Sequence, residues 1–239
     1  GLLVGQDPVI RSASALGKPS PVSVAGEPAW TYVALGTLGG EDTRPAAIND
    51  GRVVVGATQN ADSVWRAFRW KEGAINDLGT PGNTASRASD INNGGRIVGS
   101  YLDEDGFFRA FLYDASASPP ALITIPTLGG DTNSAEAISS NGRYVVGSSE
   151  NASFDSHAFR YDTATSQVID LGTLAGNESY AYTINSPGQI VGKSSTADGS
   201  VHAVLWERGA PIDLGTLGGG WSEAYGINDV GQIVGASST

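Results

Sequence analysis

The chain has 239 residues, with 33 glycines, no cysteine and a formal net charge of −11. The missing cysteines exclude disulfides, thiolate metal sites and cysteine catalysis. The acidic balance repels nucleic acid and anionic membrane surfaces, so neither is expected as a partner.

Charged residues are 16% of the chain, below the usual share of about 25%. Glycine and small polar residues fill the gap, the profile of a turn-rich all-β protein. No apolar run approaches the roughly 18 residues of a membrane span, so no membrane insertion is expected. The first residues carry no signal-peptide pattern, which fits a mature secreted chain or a trimmed one.

In chain order, "GLLVG" (1–5) has strand character, as an extra edge strand or the remnant of a lost repeat. Residues 6–20 read as a loop, supported by "GKPSP" (17–21), and residues 1–19 form an N-terminal extension. "PVSVA" (21–25) and "TYVALG" (31–36) read as two further strands.

From there the chain repeats itself. The isoleucines of "AAIND", "SDINN", "EAISS", "YTINS" and "YGIND" are Ile48, Ile91, Ile138, Ile184 and Ile227, spaced by 43, 47, 46 and 43 residues. Such a period suits one small antiparallel sheet per repeat. In the fourth copy, a strand ending at "AYTIN" turns through Asn185 and Gly188 into "QIVGKS". In that second strand Ile190 and Val191 are adjacent and both apolar, so both of its faces are expected to be buried. "HAVLW" and "PIDLG" supply strands three and four. A sheet apolar on both faces must stack on neighbours, as a ring or a solenoid, and no terminal copy reads as a polar cap.

The expected fold is therefore a single all-β domain over residues 1–239, a five-bladed β-propeller of four-stranded blades. The fifth copy stops after its second strand, at "GQIVGASST". The closing blade is expected to join those two C-terminal strands to the two N-terminal ones. "IDLGTLGG" (212–219) and its copies link one blade to the next. Leu217 is expected to plug the gap between blades, with the glycines turning the backbone.

The phrases "LGTLGG", "A..IN..G.IVG" and "HAF", the last at His157, Ala158 and Phe159, resemble the HAF-type extracellular repeat family. The resemblance covers 33–239 and departs at "LGTPGN" (78–83), at "ITIPTLGG" (123–130) and in the first 30 residues. It implies secretion or surface exposure and brings no catalytic residues with it.

His157 and His202 hold the place that Arg66 and Arg109 hold in other copies, so none reads as a unique catalytic base. Asp77, Asp170 and Asp213 recur in "DLG" and are expected to accept hydrogen bonds from backbone or from that His/Arg position. After each "LGTLGG" comes a polar segment expected at one mouth of the central channel. Glu41, Asp42, Asp131, Glu178 and Glu223, with Trp221, are the candidate ligand-binding rim. Such a ring suits a glycan or a protein partner, and Ca²⁺ is the ion it would hold. Asp103 and Asp105, in "YLDEDGFF" (101–108), are a second candidate metal site without the full calcium-loop spacing. "NAS" (151–153) and "NES" (177–179) match the glycosylation pattern, which matters in a eukaryotic source.

Three functions compete. The leading one is a noncatalytic recognition module, extracellular or on the cell surface. The second is a polysaccharide-active glycosidase using two rim carboxylates. The third is a purely structural segment of a larger surface protein.

Overall fold

The computed structural model describes residues 9–11 and 32–239. Strands β1 (Val9–Arg11) and β2 (Tyr32–Ala34) pair in parallel. Four antiparallel four-stranded sheets follow. The first is β3 (Gly39–Ile48), β4 (Val54–Asn60), β5 (Trp65–Lys71) and β6 (Ala74–Asp77). The second is β7 (Ser86–Ile91), β8 (Arg96–Leu102), β9 (Phe108–Asp114) and β10 (Ala121–Thr124). The third is β11 (Gly129–Ile138), β12 (Tyr144–Asn151), β13 (Ser156–Asp162) and β14 (Gln167–Asp170). The fourth is β15 (Ala175–Ile184), β16 (Ile190–Thr196), β17 (Val201–Glu207) and β18 (Ala210–Asp213). Strands β19 (Ser222–Ile227) and β20 (Ile233–Ser237) form a two-stranded sheet. In every sheet, spatial order follows chain order.

The apolar cores lie between sheets. Val55, Leu78 and Ala67 of the first sheet and its outgoing turn meet Ile97, Phe111 and Ala88 of the second. Val98 and Leu112 meet Val145 and Phe159 across the next gap, and Val146 and Ala158 meet Ile190, Val204 and Trp206 across the third. The adjacent apolar pair in each second strand explains this layout, because its two side chains point to opposite faces. Ile190 packs toward the third sheet, while Val191 packs toward the terminal pair with Ala224. Both are buried, as the sequence pattern requires.

Close approach of the first two strands explains the glycine after that pair. A Cβ on Gly147 would collide with the carbonyl oxygen of Ser134, and Gly56, Gly99, Gly192 and Gly235 stand against the equivalent carbonyls.

Hydrogen bonds join each sheet to the next. The amides of Ala67, Ala110, Ala158 and Ala203 donate to the side chains of Ser86, Asn133, Ser179 and Ser222 on the following sheet. Ser179 and Ser222 then donate to the carbonyls of Gly172 and Gly215. This is why the alanine of "HAF" and the glycine of "LGT" recur together. A second belt joins the hairpin corners: Asn49 Nδ2 donates to the Asn92 carbonyl, and Asn185 Nδ2 to the Asn228 carbonyl, both at 3.0 Å.

Two expectations change. The buried leucine of the linking phrase is its first. Leu35, Leu78 and Leu171, with Ile125 at the same place, are each at most 6% exposed, whereas Leu217 is 75% exposed. The first position extends the fourth strand, its amide bonding back to the alanine carbonyl of the third strand, as Leu171 does to Ala158 at 2.9 Å. In the last copy Leu214 is 41% exposed, because the sheet it faces has only β19 and β20 among the described residues. Residues 9–11, expected in a loop, form β1, whose three-residue register with β2 holds the strand. The parallel partner of β2 is therefore β1. "GLLVG", "GKPSP" and "PVSVA" lie outside the described residues.

Candidate functional site

The first strand of each antiparallel sheet carries a buried polar residue: Thr43, Ser86, Asn133, Ser179 and Ser222. The residue that follows each one is paired in equivalent register with the second strand, as Arg44↔Ala57, Arg87↔Ser100, Ser134↔Ser148, Tyr180↔Lys193 and Glu223↔Ala236. Two positions further on, past the start of a register shift, stand Ala46, Ser89, Glu136, Tyr182 and Tyr225. Members of both sets share one face, since Arg44, Ala46, Arg87, Ser89, Glu136 and Tyr182 line a common cavity.

That face bounds a cavity of about 570 Å³. Arg44, Ala46 and Trp65 of the first sheet, Arg87 and Phe108 of the second, Glu136 of the third and Tyr182 of the fourth all line it. Four successive sheets therefore curve around a shared axis. A second cavity of about 330 Å³ shares Arg87, Ser100 and Phe108 with the first.

Charge along the wall is organised between neighbours. Arg87 Nη2 donates to Glu136 Oε1 at 2.9 Å, from the second sheet to the third. Lys193 Nζ donates to Glu223 Oε1 at 2.9 Å, from the fourth sheet to the terminal pair. Tyr182 OH donates to Glu223 Oε2 at 3.4 Å, and its ring stacks on Tyr225 with centroids 6.1 Å apart. Partial burial would lower the pKa of Lys193, but hydrogen bonding to Glu223 more than offsets it and holds the ammonium above the ordinary lysine range. Burial raises the Tyr182 phenol. Arg44 differs. Its acid is Asp42 on the same strand, at 3.2 Å, its guanidinium lies 4.3 Å from the Trp65 ring centroid, and its side chain is 71% exposed.

The rim residues expected from the sequence do not form one ring on this wall. Glu41, Asp42, Asp131, Glu178 and Trp221 line neither cavity. Most fall in the irregular stretch where the first strand enters its sheet, marked by register shifts from Gly39 to Thr43, Gly129 to Asn133 and Ala175 to Ser179. There the backbone amides of Asp131 and Thr132 bond to Glu150, and Glu178 accepts from Tyr180 OH at 3.4 Å. Glu223 holds the wall's register position, although it too lines neither cavity. Arg44, Arg87, Glu136 and Tyr182 were missed. The signal for them is variation at alternate positions inside an otherwise repeated frame.

Asp103 is engaged by its own loop. It accepts from the Phe107 and Asp105 amides and from Arg109 Nε at 2.6 Å. The Phe107 amide first, and then Arg109, hold its carboxyl below the usual range. Among the described residues no group of three or more His, Cys, Asp or Glu is placed to hold a metal ion. The recurrent His/Arg and Asp positions pair across the outer strands of a sheet: Arg66 Nε–Asp77 at 2.8 Å, His157 Nδ1–Asp170 at 2.8 Å and His202 Nδ1–Asp213 at 2.9 Å. In the second sheet Thr124 replaces the aspartate and bonds Tyr101 OH, which leaves Arg109 to Asp103.

No family model matches the chain, and no curated protein matches it. Solved structures do. TolB from Acinetobacter baumannii aligns with a TM-score of 0.54 at 12% identity, covering 76% of this chain and 47% of that one. A TolB-type protein from Agrobacterium tumefaciens aligns at 0.56 and 15%, covering 88% and 70%. The fold is a β-propeller. At these identities the likeness is one of fold alone, and the chain spans about half the length of the first of these structures. The four-stranded sheets are its blades, and the cavity between their first strands is the axial cavity of the propeller. Among the described residues no helix is long and apolar enough to cross a membrane.

Proposed function

We propose that this propeller is a noncatalytic recognition module that takes its ligand in the axial cavity. One observation carries the reading. The repeated polar residues join the blades, while the wall positions are not shared by all blades: Arg44 and Arg87 give way to Ser134, Tyr180 and Glu223 at one position, and Ala46 and Ser89 to Glu136 and Tyr182 at the other. A wall with no residue common to all blades suits an asymmetric ligand. The cavity volume falls within the range of about 300–1,000 Å³ usual for ligand sites. The HAF-type phrases support a secreted or surface setting.

We further propose that the ring closes with a fifth blade. The support is the open face of β20, where Val234 is 67% exposed although its counterparts Val55, Val98, Val146 and Val191 are buried. Thr43 points the same way. It donates to the Gly36 carbonyl at 2.7 Å, the bond Ser179 makes to Gly172, and also bonds Thr58 Oγ1 at 2.7 Å, so the first blade carries the same clasp position as the others.

The test is display of the full chain against glycan and peptide arrays, alongside an Ala46→Trp variant that fills the cavity from an exposed wall position. Capture of a ligand by the natural chain and its loss in the variant, with melting unchanged, is expected. Binding that survives the filled cavity would overturn the reading, as would no binding to either array.

A further inference from the structure

Three features of the wall, taken together, indicate the chemistry of the ligand. The axial cations Arg87 and Lys193 each reach an acid on the following sheet and so stitch neighbours together. Arg44 has no such acid, since the equivalent positions on the second sheet are Arg87 and Ser89. Its remaining acid, Asp42, is an exposed pair of the kind worth about 0–1 kcal/mol, readily exchanged for another carboxylate. The Trp65 ring holds the guanidinium against the cavity wall.

A planar guanidinium suits a carboxylate, which it can bind through two parallel hydrogen bonds. Beside it the wall offers the half-exposed ring of Phe108, 52% exposed, and the Tyr182 ring. The paired Arg87 and Glu136 add guanidinium and carboxylate groups. Apolar ring faces next to closely spaced donors and acceptors match a sugar, whose rings present CH faces and whose rims present hydroxyls. The chain is acidic overall, at −11, so a cation held toward the axis stands out against the field of the whole molecule and marks where an anion is tolerated.

We propose that the axial cavity binds an acidic saccharide of the uronate class, with Arg44 receiving the sugar carboxylate and Phe108 packing against a ring face. This rests on the recognition reading above and narrows it to one ligand class.

The experiment is calorimetric titration of the full chain with tetragalacturonate, with its methyl ester and with tetraglutamate. Tetragalacturonate is expected to bind, at least about tenfold more tightly than the ester, and to weaken as salt rises from low to physiological strength. Arg44→Gln and Phe108→Ala should each lower its affinity at least about tenfold. Arg143→Gln, at an arginine paired with Asp162 on the third blade, should leave affinity unchanged. Melting curves of the variants confirm folding. Equal binding of acid and ester would overturn the role of charge and leave the recognition reading standing. Binding of tetraglutamate alone would replace the saccharide by an acidic peptide, again without harm to that reading. If none of the three binds, the uronate inference falls, and the array experiment alone then decides the broader one.

Discussion

The amide of Ala158 donates to Oγ of Ser179 at 2.9 Å, and the same hydroxyl donates to the carbonyl of Gly172 at 2.8 Å. One fully buried side chain thus satisfies two backbone groups of the preceding blade. Ser179→Ala strands both of them. Leaving buried polar groups unpaired should cost about 1–3 kcal/mol, read as a lower midpoint in urea. Ser179→Asn should cost less, because Asn133 fills the same role in the third blade, accepting from Ala110 and donating to the carbonyls of Ile125 and Pro126.

The linking phrase offers a paired test of packing. Leu171 is 4% exposed between the third and fourth blades, and Leu217 is 75% exposed. Leu171→Ala should destabilise by about 2–5 kcal/mol through lost burial and a residual cavity. Leu217→Ala should stay within about 0.5 kcal/mol. Denaturant melts of both variants decide it, and equal losses would contradict the assignment.

Ala175 sits at φ 73°, where the other linking phrases place Gly39, Gly129 and Gly218 at φ 107°, 116° and 111°. An L side chain pays for that region and glycine does not. Ala175→Gly should therefore stabilise the fourth blade by about 0.5–1 kcal/mol. Gly129→Ala should have the opposite sign, since the added carbon would also press on Ala152 at 3.3 Å. Thermal melts of the two variants should move in opposite directions.

Acid should weaken the third blade through Asp162. The Arg143 guanidinium, and then the Ala164 amide, hold its carboxyl below the usual range. A depressed carboxyl pKa contributes stability above its unfolded value, near 4, and that contribution disappears as pH falls through the folded value. Natural protein and Asp162→Asn should therefore differ by a constant amount from pH 7 to about 5 and converge below about pH 4. Denaturant midpoints across that range measure it, and a gap that persists into strong acid would assign the difference to shape instead of charge.

The blades were legible because their signals are local. Ile190 and Val191 stand side by side, so alternation alone requires both faces of that strand to be covered. Asn185 and Gly188 mark the corner, where the Gly188 amide does bond to the Asn185 carbonyl at 3.0 Å. The leucine was misplaced because both leucines of "LGTLGG" are apolar. Only the bond from Leu171 to the alanine carbonyl shows that the fourth strand runs one residue further before it turns. The rim residues fall away from the cavity wall for a related reason. Acids in a connection look like a rim, but register shifts such as that from Ala175 to Ser179 absorb them at the strand entrance. The wall begins one residue after the buried Thr, Ser or Asn, and its variable residues resemble noise until the frame around them is aligned.

Because the hydroxyl that secures one copy's alanine belongs to the copy after it, no copy is self-sufficient. A genetic duplication that inserts one whole period would hand every clasp to a new but equivalent partner. A fragment of a period would leave a donor and an acceptor facing nothing. Molecules of this kind can lengthen or shorten only in complete steps, and their number of copies should vary among descendants more freely than the length of any one.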